Sequence, residues 1–130
     1  MWRYYEIRKI PDIVRYWAST HPDKIALIDG KASRTYSQLD KRSNGIARKL
    51  QQGGLPPGSP VGFIGKNSIE FFEIWFAAGK TASPIAPLNW RSPENELLRL
   101  IEDAKPPIVF VSVEQEASQL ESEATCWRRA

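Results

Sequence analysis

Few side chains in this sequence are spaced for chemistry, and the most suggestive of them sit in residues 61–70. There the apolar run Val61-Gly62-Phe63-Ile64 is followed by Gly65-Lys66-Asn67. A strand, a glycine turn and a helix in that order are where nucleotide-binding α/β folds place a phosphate loop. The spacing Gly-x-x-Gly followed by Lys-Asn is neither a dinucleotide fingerprint nor a Walker loop. The expectation is therefore a tight strand-to-helix turn, in which Lys66 and the helix N-terminus still favour an anion. His21 is the only histidine. It precedes Pro22 in a loop and has no acid or nucleophile at recognisable spacing, so it reads as a surface residue and not a general base. Cys126 is the only cysteine, which excludes a disulfide framework within the chain and argues against a cysteine-based metal site. The acid pairs Asp23/Asp29 and Glu102/Asp103 lie near turns or helix ends, where solvation and the helix dipole account for them. No further ligands converge to complete a metal site. On this reading no catalytic, cofactor-binding or metal-ligating residue is assigned.

Aromatic residues are the other candidates. Five tryptophans, Trp75 and Trp90 among them, read as core packing. Trp2, Tyr4 and Tyr5 stand beside Arg3, Arg8 and Lys9, a mixture suited to weak peripheral contact with a membrane surface.

The elements that must position these groups follow from periodicity. Ile13, Val14, Trp17 and Ala18 fall on one face at helical spacing, with Pro11 at the first helical position and Pro22 ending the helix. Ile25-Ala26-Leu27-Ile28 and Ser33-Arg34-Thr35-Tyr36, joined through Asp29-Gly30, predict a small antiparallel hairpin. Ser37-Gln38-Leu39-Asp40 has the spacing of a capping box. It opens a helix with Leu39, Ile46, Ala47 and Leu50 inward and Lys41, Arg42, Arg48 and Lys49 outward, stopped by Gly53-Gly54. After the rigid turn Pro56-Pro57-Gly58 comes the buried strand at residues 61–64. Asn67 is the expected cap of the next helix. Its residues Ile69, Phe71, Phe72, Ile74, Trp75 and Phe76 leave only Glu70 and Glu73 strongly polar. A helix apolar nearly all round is buried in a large protein or covered by a partner. Ser83-Pro84-Ile85-Ala86-Pro87 is a short strand with its prolines at the ends or on an edge. Ser92 and Pro93 open a further helix that buries Leu97, Leu98, Leu100 and Ile101. Pro106-Pro107 ends it, and Ile108-Val109-Phe110-Val111 is a buried strand. Strands and helices alternating in this way form parallel sheets with right-handed crossovers and helices on both faces.

Composition narrows the function classes. Hydrophobic residues make up 42% and charged residues 25%, which is ordinary globular usage. The net charge of +3 is too small to imply nucleic-acid binding unless it clusters. The first residues carry charge and no apolar run, so they do not make a secretory signal. The longest apolar stretch, residues 71–78, is far short of the ~20 residues that span a bilayer. A reducing, cytoplasmic location is the expectation.

Several segments, in order, resemble one known family. Ile25-Ala26-Leu27-Ile28 followed by Thr35-Tyr36-Ser37-Gln38-Leu39-Asp40 is similar to the start of AMP-forming acyl-CoA synthetases and other adenylate-forming enzymes. So are Asn44-Gly45-Ile46-Ala47 through Leu50, then Gly53, Gly58 and Val61. Asn67-Ser68-Ile69-Glu70-Phe71 and Ala77-Ala78-Gly79-Lys80 look like the next helix of the same family. Pro87-Leu88-Asn89-Trp90-Arg91, with Pro93, Glu94, Glu96 and Leu97, resembles the fatty-acid–CoA ligase branch. The likeness runs from about Ile10 to Val113. It implies a two-step reaction: ATP and a carboxylic acid give an acyl-adenylate and pyrophosphate, and the CoA thiol then takes the acyl group. Mg²⁺ assists the first step by neutralising phosphate charge.

The matched motifs are caps, turns and core strands. The family's Ser/Thr/Gly-rich phosphate loop, adenine segment, ribose-binding aspartate and C-terminal lysine have no counterpart in these residues. The expectation is an α/β chain: an N-terminal helix and β-hairpin, then a βαβαβ three-layer unit with parallel strands, part of a larger ligase N-terminal domain. Residues 1–113 would be a partial AMP-binding domain and residues 114–130 a weakly structured tail. A truncated segment of this kind is expected to be inactive alone and to bind no ATP, Mg²⁺ or CoA by itself. The competing expectation is an interaction module that self-associates or docks on a full-length relative or partner through exposed apolar surface.

Overall fold

The structure, a computed structural model, describes residues 7–112. Trp2, Arg3, Tyr4, Tyr5, Cys126 and the expected tail at residues 114–130 lie outside them.

The first helix, α1 (Ile10–Thr20), starts where the Asp12 carboxylate accepts the backbone N–H groups of Arg8 at 3.1 Å and Lys9 at 2.9 Å. These bonds satisfy donors that a helix start leaves unpaired, and they hold the Asp12 carboxyl below its ordinary pKa. Strands β1 (Ile25–Asp29) and β2 (Ala32–Thr35) form the expected antiparallel hairpin. Gly30 adopts φ +57°, which lets a two-residue turn join them.

Helix α2 (Tyr36–Gln52) is capped by Thr35, not by Ser37. Gln38 N–H donates to Thr35 Oγ1 at 3.2 Å, and Thr35 N–H donates to Gln38 Oε1 at 2.9 Å. Ser37 already lies inside the helix, and Asp40 is drawn elsewhere. The cap of α3 (Ile69–Lys80) is likewise one residue later than expected: Ser68, and not Asn67, accepts the Phe71 N–H at 3.2 Å. Helix α4 (Glu94–Ala104) follows Pro93 with no side-chain cap, so Ser92 does not play that part. Its inward edge is narrower than periodicity suggests. Leu97 is buried and Ile101 packs beside it, but Leu100 is 38% exposed.

Strands β3 (Val61–Ile64), β4 (Ile85–Leu88) and β5 (Ile108–Val111) make a parallel sheet in the order β4-β3-β5. Alternate residues point to opposite faces. Val61, Phe63, Ile85, Ile108 and Phe110 meet Leu50, Ile74 and Ala78 of α2 and α3 on one face. Ile64, Leu88, Val109 and Val111 meet Leu97 and Ile101 of α4 on the other. A third cluster joins Val14, Leu39 and Phe76 to the hairpin residues Ala26 and Leu27. The result is the expected mixed α/β architecture, a three-layer βαβαβ unit preceded by a helix and a hairpin. Two glycines let the β3 and β5 sides of the sheet approach closely. A Cβ on Gly62 would lie 3.0 Å from a Val109 methyl, and one on Gly65 would lie 2.8 Å from Ser112 Cβ.

Two polar ties lock α3 in place. Glu73, read from sequence as one of two polar positions on an apolar helix, is buried, with its side chain 3% exposed. Its Oε1 takes Arg34 Nε at 3.2 Å and Arg42 Nε at 2.6 Å. Arg42 faces out as expected, with its side chain 54% exposed, and still reaches Glu73 with its guanidinium. Lys80 Nζ reaches across to α2 and donates to Asp40 Oδ1 at 2.6 Å, Ser43 Oγ at 2.8 Å and Asn44 Oδ1 at 2.8 Å. With those charges neutralised inward, α3 buries Ile69, Ile74, Phe76, Ala77 and Ala78. Phe71, Phe72 and Trp75 remain half-buried, an aromatic row with neighbouring ring centres 5.4–6.3 Å apart.

A candidate anion-binding crevice at the strand ends

The chain leaves β3 toward the α3 face and leaves β4 toward the α4 face. The two loops therefore part at the carboxyl ends of adjacent parallel strands. Open α/β sheets bind ligands at such a switch point. Here residues 65–67 and 87–91 line an open crevice of about 480 Å³.

Local sequence explains each wall. Gly65 turns the chain against Ser112 where no β-carbon fits, and this holds the first loop close to the sheet. The second wall follows Pro87, which is tolerated because among the described residues β4 pairs only with β3 and its outer edge needs no donor. Asn89 then turns the chain: its Oδ1 accepts the Arg91 N–H at 3.0 Å and its carbonyl accepts the Ser92 N–H at 3.0 Å. The turn sets Trp90, half-buried, against the Ile64–Leu88–Leu97 cluster. Lys66 Nζ lies 5.3 Å from the centre of that ring and the Arg91 guanidinium carbon 4.8 Å from it. Cations over an indole face are attracted by its quadrupole, so Trp90 holds two positive charges at one rim.

Among the described residues the lining thus offers two cations, two side-chain amides and an aromatic face, with no carboxylate, thiol, hydroxyl or imidazole. Its chemistry is binding. It suits an anionic group, a carboxylate or a phosphate, beside a flat or apolar one.

The structure joins what sequence reading kept apart. The sequence pattern gives Lys66 an anion signal and Trp90 a core role; the fold brings them together and leaves Trp90 half-buried. Arg91 was missed as a binding residue, although its place just past a parallel strand was a usable sign. His21 is exposed, its ring 5.1 Å from Trp17 and its Nδ1 3.0 Å from Thr20 Oγ1. Among the described residues no group of three His, Cys, Asp or Glu converges to hold a metal ion. No helix among them is long and apolar enough to cross a membrane.

A parallel α/β unit with a cationic crevice at its switch point defines a class of proteins that handle nucleotides and other anions. The sequence pattern of the AMP-binding enzyme family matches residues 14–128, and the chain belongs to that family. It is 29% identical over 109 residues to the fatty acid–[acyl-carrier-protein] ligase ScoC of Streptomyces coeruleorubidus, covering 84% of this chain and 21% of that one. It is also 35% identical over 92 residues to the beauvericin nonribosomal cyclodepsipeptide synthetase of Beauveria bassiana, covering 71% of this chain and 3% of that one. The chain therefore spans a minor part of the length of the curated relatives it matches. In fold it is similar to a putative long-chain-fatty-acid CoA ligase from Rhodopseudomonas palustris, with a TM-score of 0.81 at 22% identity, covering 85% of this chain and 28% of that one.

Proposed function

We propose that this chain forms the opening part of a ligase that activates a fatty acid as its acyl-adenylate with ATP and passes the acyl group to the thiol of CoA. The observation that carries the fatty-acid reading is the segment Pro87-Leu88-Asn89-Trp90-Arg91. It resembles the fatty-acid–CoA ligase branch, and it forms one wall of the crevice. The name of the Streptomyces relative, a fatty-acid ligase, supports the choice of acid.

In this reading Lys66 and Arg91 hold an anionic group of a substrate, and Trp90 packs against the part beside it. Both ATP and CoA bring phosphates, which fit the charge of the rim. Among the described residues no carboxylate lines the crevice, so they do not fit Mg²⁺.

The test is a chimera in which residues 14–112 replace the matching segment of a fatty-acid–CoA ligase. Fatty-acid-dependent exchange of pyrophosphate into ATP supports the reading. Exchange driven by amino acids and not by fatty acids would instead favour an amino-acid-activating synthetase. A folded chimera with no exchange would refute both.

A further inference from the structure

Four of the five large apolar side chains most exposed among the described residues belong to the first two elements. They are Ile10 at 48%, Ile13 at 39%, Ile25 at 53% and Ile28 at 73%. Ile10, Ile13 and Ile25 lie along one strip with Trp17, and Ile28 is farther along β1. Ile10, Ile13 and Trp17 are spaced by three and four residues and share one edge of α1, beside the edge that buries Val14. Trp17 stacks on Tyr36 at 5.7 Å and carries Lys24 Nζ 5.1 Å from its ring centre. Lys24 immediately precedes Ile25, so the apolar edge of α1 passes through Trp17 onto β1.

Charge follows the same region. Residues 1–36 contain seven Lys and Arg against four Asp and Glu, whereas the rest of the chain contains eleven of each. Arg34 in this stretch is tied to the buried Glu73 of α3, and the other six Lys and Arg still exceed the four acids by two. Arg8, Lys9, Arg15, Lys24 and Lys31 are all exposed. Of the acids here, Asp12 is engaged by Arg15 at 3.6 Å and by the backbone at the start of α1. Asp23 and Asp29 stand at the turns. Branched aliphatic and indole groups flanked by excess Lys and Arg are the chemistry of a peripheral contact with anionic headgroups.

We propose that the edge formed by α1 and β1 is a reversible anchor for an anionic lipid surface. The proposal stands on charge and exposure and is independent of the ligase reading.

The experiment is co-sedimentation of the full 130-residue chain with phosphatidylcholine vesicles, with and without phosphatidylglycerol. Binding is expected only with phosphatidylglycerol and is expected to weaken as salt rises. Ile10→Ser with Ile13→Ser, both at exposed positions, should weaken it about tenfold. Arg8→Ser with Lys9→Ser should weaken it roughly 25-fold, about fivefold for each charge. Arg48→Ser with Lys49→Ser removes the same charge from α2 and should change binding less than about twofold. Circular dichroism checks that each variant keeps the fold. No binding to phosphatidylglycerol vesicles overturns the proposal, and so does an equal loss in the Arg48/Lys49 variant. A concentration-dependent dimer that the Ile10/Ile13 variant abolishes, without lipid binding, would make the strip a self-association face and also overturn it.

Discussion

Ala82 sits at φ +56° between α3 and β4, in a region where a β-carbon crowds the following carbonyl. Both its polar backbone groups are engaged: its N–H donates to the Gly79 carbonyl at 3.3 Å, and its carbonyl accepts the Gly58 N–H at 3.0 Å. The chain cannot relax there without losing the turn that starts β4. Ala82→Gly is therefore expected to raise stability by about 0.5–1 kcal/mol, once the greater freedom of unfolded glycine is subtracted. The urea midpoint measures it. Such a position is invisible in sequence, because alanine signals helix and not a left-handed turn. Gly30, Gly54 and Gly58 also have positive φ, and those turns could be read because only glycine takes that geometry without strain. The same limit explains the caps. Ser37, Asn67 and Ser92 are good capping residues, but the cap is whichever residue ends the extended chain, and strand length shifted that choice.

Elements are held by polar contacts that periodicity cannot foresee. Lys80 lies at the end of an apolar helix, yet its side chain is only 3% exposed. Burial pulls its pKa below the ordinary lysine value, and the hydrogen bond and charge of Asp40 pull it partly back. Between the lowered folded value and the ordinary unfolded one, the unfolded chain binds more protons. Stability from this group therefore rises with pH across that window. Lys80→Met should remove that slope. At neutral pH it should also cost about 2–4 kcal/mol, because Asp40, Ser43 and Asn44 lose their shared donor. Denaturation at several pH values tests both. Gly65→Ala acts through a different contact. Its new methyl group would meet Ser112 Cβ at 2.8 Å, and neither atom can swing away. A loss of about 1–3 kcal/mol is expected from thermal melts, with the first wall of the crevice displaced. The crevice itself was half legible: the glycine turn with Lys66 could be read, whereas the meeting with Trp90 and Arg91 depends on strand order, which no local pattern contains.

At the scale of the molecule, the alternation of elements was enough to place helices on both faces of a parallel sheet. What it could not show is how much of the surface stays open. Among the described residues, strands β4 and β5 each pair only with β3, so neither outer edge of the sheet has a strand partner there. The aromatic row of α3 is only half-buried. Exposed edges and apolar rows favour association and limit stability. The 130-residue chain is expected to melt below ~65 °C and to grow in apparent size with concentration. Calorimetry and light scattering check this; a sharp monomeric melt well above that temperature would contradict it.

β3 is central to the sheet and fully buried, yet it is the first of the three strands to be synthesised. On the ribosome it waits with both sides unpaired until β4 and then β5 emerge on either flank. Meanwhile α1, the hairpin, α2 and α3 can already dock around Val14, Leu39 and Phe76. Translation should thus deliver a folded helical shell ahead of its sheet. Nascent chains stalled with residue 90 just outside the exit tunnel should remain protease-sensitive near β3, and those stalled with residue 112 outside should become resistant there.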